Sequence, residues 1–173
     1  PEEFSLDSVC LLEQVDTASP ASPRLVMERP VERIKGVFLD SLQPVEAAPT
    51  SLNANPGQGQ LSLRGRRFDR GLGFVAPWRA IYELDGSYQT FRALVGVDGG
   101  TAHNDKSRLV FTVLVDGQQA WESPQLSRWD DPLPVEVNLA GKSRLELAVT
   151  DYAREGTLDH SSWGVWALAR LER

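Results

Sequence analysis

The 173-residue sequence predicts an all-β protein with the architecture of a jelly-roll sandwich. Three observations lead to this fold class. Apolar and polar residues alternate in short runs, which is the period of strands with one buried face. Gly, Pro and Asp turn signals separate the runs, about every 8 to 12 residues. No stretch keeps apolar residues at helical spacing for three turns, so a β-sandwich of roughly eight or more strands is expected.

The first 35 residues are expected to contain two or three strands ahead of the main module. Two apolar segments, Phe4–Glu13 and Arg24–Phe38, are joined by DTASPASP, a Ser- and Pro-rich segment that cannot be a helix. Residues 1–35 are interpreted as an N-terminal extension, either the remnant of a small preceding β domain or an extra edge strand of the same sandwich. Residues 36–173 are expected to form the β-sandwich itself. Because the chain begins PEEF, we expect a module of a longer polypeptide.

The main module begins with FLDSL near residue 40, followed by a long Pro-, Asn- and Gly-rich connection. Residues 61–68, LSLRGRRF, predict one strand with Leu61 and Leu63 facing inward. Three arginines close this strand: Arg64, Arg66 and Arg67. A solvated strand face is the favoured interpretation of the cluster. The alternative is contact with sulfate or carboxylate groups of a polysaccharide, which suit the forked guanidinium.

The clearest alternation lies between residue 91 and the C-terminus. The residues expected to face the core are Phe91, Ala93, Val95 and Val97; Leu109, Phe111, Val113 and Val115; Val135, Val137 and Leu139; Leu145, Leu147 and Val149; and Trp163, Val165, Ala167 and Ala169. Asp116 and Gly117 lie between two such runs and predict a tight hairpin turn.

Composition excludes several function classes. The 18 Lys and Arg against 24 Asp and Glu give a net charge of −6, which argues against nucleic acid and anionic membranes as partners. Cys10 is the only cysteine, so the chain can form neither an internal disulfide nor a thiolate zinc site. The sequence has no apolar run of about 18 residues and no signal sequence, so neither a membrane span nor a targeting signal is expected in this chain.

Catalysis has little support in the sequence. Only two histidines, His103 and His160, are available as a base, and no GxSxG, HExxH or phosphate-loop motif occurs. A glycosidase needs only two carboxylates at a suitable separation, which the sequence does not exclude. Sugar binding requires less, namely a flat aromatic ring against a pyranose and a few polar groups for its hydroxyls.

Tryptophans and one polar loop supply the candidate sugar contacts. Of the five Trp residues, Trp78, which follows Ala76-Pro77, and Trp129, which precedes Asp130-Asp131-Pro132, are expected to be exposed platforms, whereas Trp163 and Trp166 are expected in the core. The loop Gly96–Ser107 groups four polar side chains that suit hydroxyl groups or an ordinary polar connection equally. They are Asp98, His103, Asn104 and Asp105.

The order of motifs in this region resembles a known family. GLGFVA, IYELDG, FRALVGVD and FTVLVDG follow one another, FLDSL precedes them and DHSSWGVWAL closes the chain. From Val37 to Leu171 this arrangement is similar to the NPCBM family, also called carbohydrate-binding module family 51. The resemblance implies a galactose-binding-like β-sandwich that is non-catalytic and binds galactose-type terminal sugars. It also implies a module attached to a secreted or cell-envelope bacterial enzyme.

The resemblance further implies a structural calcium ion, for which Asp40 and Asp159 are the candidate ligands. No other cofactor is expected. The sequence departs from the family at two places. The family commonly has GLGxHA, where this chain has Val75 in place of the histidine, and Gly99–Gly100 follow Asp98 where an acidic residue is often found.

The function predicted from the sequence is therefore a non-catalytic carbohydrate-binding module. The expected sugar contacts are Trp78, Arg79, His103, Asn104, Asp105, Trp129 and His160. The alternative is a protein-interaction or spacer domain that has kept the sandwich and lost the sugar site, and Val75 is the residue that motivates it.

Overall fold

The structure is a computed structural model that describes residues 3–6, 34–100, 107–152 and 162–173. Within these ranges the chain forms fourteen strands and one short 3-10 helix. The strands are β1 Glu3–Leu6, β2 Ile34–Phe38, β3 Glu46–Ala47, β4 Ser51–Leu52, β5 Leu61–Leu63, β6 Arg66–Phe68, β7 Gly71–Val75, β8 Trp78–Glu83, β9 Thr90–Val97, β10 Leu109–Val115, β11 Gln118–Glu122, β12 Leu133–Asn138, β13 Arg144–Asp151 and β14 Trp163–Glu172; the 3-10 helix is Leu39–Ser41. The predicted all-β sandwich is confirmed.

Two antiparallel sheets form the sandwich. The five-stranded sheet has the order β11-β10-β13-β8-β3. The seven-stranded sheet is built around β14, which pairs with β9 along Gly164–Glu172. On the side of β14 opposite to β9, β7 pairs with the beginning of β14 and β2 pairs with its end. The C-terminal strand thus connects the two halves of the larger sheet.

The main core lies between the two sheets and is rich in aromatic rings. Phe74 stacks on Trp78 with ring centroids 4.4 Å apart, and Phe111 meets Trp166 edge to face at 5.4 Å. The predicted inward residues of β9, β10, β12 and β13 are all buried. Burial of such large apolar side chains is the dominant stabilising contribution to a fold of this size.

The predicted hairpin at Asp116 and Gly117 joins β10 to β11. Both residues have positive φ, 49° and 78°. Two successive left-handed residues form the turn whose twist matches that of paired strands, and Asp and Gly adopt that conformation more easily than other residues. The turn is braced because the Asp116 carboxylate accepts hydrogen bonds from the backbone N–H groups of Ser143 and Arg144.

The single strand predicted for residues 61–68 is wrong. The chain reverses at Arg64 and Gly65, both with positive φ, so that β5 and β6 form a separate two-stranded hairpin. Leu61 and Leu63 are buried as predicted, but with Phe68 they pack against Val165 and Ala167 on the outer face of the seven-stranded sheet. This sheet is therefore buried on both faces over part of its area.

The predicted single buried face of β14 is also wrong. Leu168 has φ 51°, and the pairing of β14 with β9 shifts between Ala167 and Arg170. Such a bulge inserts one residue and exchanges the faces of the residues beyond it. Trp166 and Ala169 consequently both face the main core, whereas Val165 and Ala167 lie under the hairpin.

The N-terminal segment contributes one described strand. β1 pairs antiparallel with β2, matching Glu3 with Val37 and Leu6 with Ile34. β1 is therefore the strand at the edge of the seven-stranded sheet, next to β2. Residues 7–33, which include Cys10 and the Ser- and Pro-rich segment, lie outside the described residues.

Candidate sugar-binding site at one end of the sandwich

Several connections meet at one end of the sandwich, here called the rim, which comprises residues 53–60, 76–77, 98–100 and 123–132. β7 and β9 end at this edge and β14 begins there, since Trp163 pairs with Val75 and Gly164 with Val97. The connection 123–132 leads into β12, whose first residue, Leu133, pairs with Val95 near the end of β9. Loops from both sheets therefore converge on one surface.

Asp98 joins two of these segments, 53–60 and 98–100, to strand β5. Its Oδ1 accepts hydrogen bonds from Asn55 Nδ2 at 3.2 Å and from the backbone N–H of Gly100 at 2.8 Å. Its Oδ2 accepts from the backbone N–H of Ser62 at 3.0 Å. Asp98 is fully buried, and this burial raises the pKa of its carboxyl. The residue fixes the loops rather than offering its carboxylate to a ligand, so it is not the hydroxyl acceptor that the sequence suggested.

Trp163 lies beside this junction on the outer face of the seven-stranded sheet, the face that β14 also uses for Val165 and Ala167. The Trp163 carbonyl accepts a hydrogen bond from the backbone N–H of Asp98 at 2.9 Å. The residue is half-buried, and the six-membered ring of its indole lies against the loops. A Cβ added at Gly57 would lie 2.8 Å from Cη2, and one added at Gly100 would lie 3.2 Å from Cζ3.

Glycines at these positions let backbone approach the indole closely, because any side chain would have to displace the ring. The same applies one strand away at Gly73, where an added Cβ would lie 2.1 Å from the Ala54 carbonyl oxygen. That close approach lets residues 54–59 cross the outer face of β7. We call the resulting group of Asn55, Gly57, Asp98, Gly100 and Trp163 the Trp163 corner.

Val75 borders the Trp163 corner. It is the cross-strand partner of Trp163 and is 42% exposed. Opposed side chains on the same face of an antiparallel pair lie about 5 Å apart at Cβ. The position where the family commonly has histidine is therefore directly beside the indole, and this chain presents an apolar side chain there.

Trp129 lies on a different part of the rim, in a turn braced by Asp130. The Asp130 carboxylate accepts from both the N–H and the hydroxyl of Ser127, each at 2.7 Å. These hydrogen bonds, with nearby Arg108 and Arg64, lower the pKa of Asp130. Trp129 is 57% exposed, as predicted. The Arg128 guanidinium lies 4.7 Å from its ring centroid, and Arg64 donates a hydrogen bond to its carbonyl oxygen.

The expectation that Trp78 is an exposed platform is wrong. Trp78 is the first residue of β8, faces the main core and is only 3% exposed. Its ring stacks on Phe74 and its Nε1 donates to the Thr50 hydroxyl at 3.0 Å. A sugar cannot reach this indole without opening the sandwich.

Arg79 is the next residue of β8 and points to the opposite side, onto the outer face of the five-stranded sheet. Its Nε lies 2.6 Å from Glu146 Oε1 and its Nη1 lies 3.3 Å from Glu46 Oε1. The hydrogen bond from Arg79 lowers the pKa of Glu146. The structure therefore does not bring Arg79 together with either rim tryptophan. The remaining predicted contacts lie outside the described residues: His103, Asn104, Asp105 and His160.

The predicted calcium ligand Asp40 does not fit that role. Both of its oxygens accept hydrogen bonds from Arg70, at 2.9 Å from Nε and 3.2 Å from Nη2. A carboxylate engaged by both nitrogens of a guanidinium is neutralised and has little left for a cation. Asp159 lies outside the described residues. In the part of the chain that the structure describes, no group of three or more His, Cys, Asp or Glu could hold a metal ion.

Sequence reasoning missed Trp163 as a site residue because the alternation of β14 placed it with core residues. Asn55 and the glycines of the Trp163 corner were assigned only to loops. The one available signal was the closing DHSSW segment, which ends on this indole.

As for membranes, none of the helical structure among the described residues has the length and apolar character of a transmembrane span.

Comparisons with known proteins agree with the fold and identify the family. Residues 36–172 match the model of the NPCBM/NEW2 domain. A putative endo-alpha-N-acetylgalactosaminidase of Renibacterium salmoninarum is 29% identical over 129 residues, which are 74% of this chain but 8% of that protein. The chain therefore spans under a tenth of this curated relative.

Two solved structures place the similarity on binding modules. The family 51 carbohydrate-binding module of a Clostridium perfringens GH95 protein, in complex with methyl-galactose, is 27% identical with a TM-score of 0.70, covering 79% of this chain and 99% of that one. The C. perfringens ZmpB structure, an M60 catalytic domain with two such modules, is 25% identical with a TM-score of 0.71, covering 79% of this chain and 15% of that one. The predicted family is thus confirmed: the chain belongs to the NPCBM/NEW2 domain family and is a carbohydrate-binding module rather than a catalytic domain.

Proposed function

We propose that this chain binds a terminal sugar of the galactose type at the Trp163 corner and so holds a larger enzyme on its glycan substrate. The module would comprise residues 36–173, with residues 1–35 as an extension that adds an edge strand. The solved relative that carries methyl-galactose supports the choice of sugar. The relative described as an N-acetylgalactosaminidase supports a glycan-degrading enzyme as the rest of the polypeptide.

The observation that carries the proposal is the way Trp163 is held. Asp98 and Asn55 fix the loops around the indole, and Gly57 and Gly100 allow backbone to border the ring. An aromatic ring fixed in this way supplies a flat apolar surface for the C–H groups of a pyranose. Because the ring is held before the sugar arrives, little conformational entropy is lost on binding.

Neighbouring backbone groups could serve the sugar hydroxyls. Pockets for small ligands combine an apolar surface with a few fixed polar groups. Residues 57–59 and 99–100 are exposed, and two of them, Gly57 and Gly100, border the indole. A shallow site of this kind is expected to have a dissociation constant between roughly millimolar and micromolar, equivalent to about 4 to 8 kcal/mol.

The setting we propose is a secreted or cell-envelope bacterial protein with several domains. The ZmpB relative combines two family 51 modules with a catalytic domain in one chain. In such proteins a weak site is sufficient, because linkage to a second binding or catalytic unit raises the effective concentration of the sugar.

The test is an NMR titration with methyl-galactoside, in which the five tryptophan indole N–H signals act as reporters within one sample. We expect the chemical shifts of the Trp163 indole and of the Gly57 and Gly100 amides to change and to reach a plateau as the sugar concentration rises. Trp78 and Trp166, which are buried in the core, serve as internal controls and should not shift. Saturable shifts confined to other residues, or none at millimolar sugar, would contradict the proposal.

A protein-interaction or spacer role has one observation in its favour, the exposed apolar Val75 beside the indole. Loss of a polar group from a sugar site removes hydrogen bonds that the hydroxyls would otherwise make. Absence of binding across neutral and anionic glycans, with a folded protein, would favour this second role.

A further inference from the structure

The Trp129 side of the rim forms a second surface with its own chemistry. We call Arg64, Arg108, Arg128, Trp129 and Asp130 the Trp129 corner. We infer that this corner is a subsite for an acidic group, a carboxylate or a sulfate ester, carried by the same glycan whose terminal sugar occupies the Trp163 corner. The inference rests on the proposed function, which it extends to a class of anionic oligosaccharide.

An exposed indole and a guanidinium are held together here by the fold. Arg64 lies at the tip of the β5–β6 hairpin and reaches the Trp129 carbonyl from a different part of the chain. Trp129 in turn is fixed by the Ser127–Asp130 hydrogen bonds. A guanidinium has five N–H donors in a planar fork that fits a carboxylate or sulfate, and one bond to a carbonyl leaves room for such a ligand.

The Trp129 corner contains three positively charged arginines, although the protein as a whole is negatively charged. The chain carries a net charge of −6, yet Arg64 and Arg128 contact Trp129, and Arg108 lies near the neighbouring Asp130. The Asp130 carboxylate beside them already accepts two hydrogen bonds from Ser127 through its Oδ2. Arginines gathered at one place on an acidic protein attract anions selectively.

The two corners are close enough for one oligosaccharide to reach both. Arg64 directly follows Leu63, which forms a β-bridge with Asp98, and Asp98 is hydrogen-bonded to Trp163. Neighbouring strands lie about 4.8 Å apart and successive Cα atoms about 3.8 Å apart, so the backbones of Arg64 and Trp163 are at most about 13 Å from one another. That distance matches a short chain of sugars rather than two independent ligands.

The experiment compares dissociation constants for three probes by calorimetry at low salt. They are a galactose-terminated disaccharide, the same disaccharide sulfated on the neighbouring residue, and the disaccharide branched there with a sialic acid. We expect at least one anionic probe to bind roughly 3- to 10-fold more tightly than the neutral one, the range of an exposed charge-assisted contact. The gain should shrink as ionic strength rises. Sulfated and sialylated probes show which acidic group is preferred.

Variants separate the corner from general charge effects. Arg64→Asn keeps a residue that tolerates positive φ at the hairpin tip, and Trp129→Ala removes the exposed ring. Both should abolish the anionic preference and leave binding of the neutral disaccharide unchanged. Arg144→Gln removes one exposed positive charge from β13, next to the turn braced by Asp116 at the far end of the sandwich, and should keep the preference.

Each outcome decides between the two proposals. Equal affinity for all three probes, or a preference that survives Arg64→Asn, overturns the subsite while the neutral sugar site stands. No binding of any probe overturns both. Binding of only the anionic probes, lost in Arg64→Asn, supports the subsite and contradicts galactose as the primary ligand.

Discussion

Trp78 and Trp129 have similar sequence surroundings, but one is buried and the other is exposed. Both lie close to a proline and outside any clear alternation, and both were expected to be exposed. Trp78 is 3% exposed, stacked on Phe74 in the core, whereas Trp129 is 57% exposed on a turn. The difference arises from the element to which each residue belongs: Trp78 opens a strand whose inward face it joins, and Trp129 enters a turn that lies outside both sheets.

The largest effect that would test this comparison is on stability. Trp78→Ala should lower the free energy of unfolding by about 3 to 5 kcal/mol, because it leaves a cavity beside Phe74 and removes the hydrogen bond that the indole donates to Thr50. Trp129→Ala, the matched variant, should change it by about 0.5 kcal/mol or less. Chemical denaturation of both variants measures the difference, and comparable losses would mean that Trp129 is part of the packed structure.

An intermediate effect, on sugar affinity, concerns Trp163. This tryptophan is half-buried and so lies between Trp78 and Trp129 in exposure. Val75→His restores the family's polar side chain beside this indole. We expect galactose to bind roughly fivefold more tightly, equivalent to about 1 kcal/mol, the contribution of one hydrogen bond. Val75→Phe, which adds an aromatic side chain without the imidazole's polar atoms, is the control. Calorimetry giving equal gains for both variants would mean that ring area rather than hydrogen bonding matters.

The smallest expected effect is a pH-dependent change in the environment of the Trp129 indole. Hydrogen bonds from Ser127 lower the pKa of Asp130 below its ordinary value of 3.8. Because the pKa of Asp130 is lower in the folded state, its ionised carboxylate stabilises the fold at pH values above 3.8. This stabilisation is lost as the pH falls through the folded-state pKa. The indole signal of Trp129 should therefore titrate in that acidic range, whereas that of Trp78 should not. Asp130→Asn should remove the titration, and its persistence in that variant would assign it to another group.

The sandwich itself was largely predictable. Alternating runs in β9, β10, β12 and β13 specify which face of each strand is buried, because side chains of a strand point to opposite faces with a fixed period of two. The turn at Asp116 and Gly117 was also predictable, since these residue types favour positive φ. The order of motifs was sufficient to recognise the family, which the match over residues 36–172 confirms.

The site was much less predictable. Arg64 and Leu168 adopt positive φ although their residue types give no signal for it, and these two positions create the β5–β6 hairpin and the β14 bulge. The bulge exchanges the faces of the residues that follow it, so Ala169 lies in the main core with Trp166 although Ala167 faces outward. A strand pattern read from sequence assumes an uninterrupted period and cannot detect such a change.

By itself, therefore, the sequence determined the strands, their buried faces and the family, because these depend on local period and on the order of residues along the chain. Only the tertiary structure decided which tryptophan borders the rim, because that depends on contacts between distant segments. Asn55, Ser62 and Gly100 reach Asp98 from separate connections, and their hydrogen bonds exist only once the sheets have assembled.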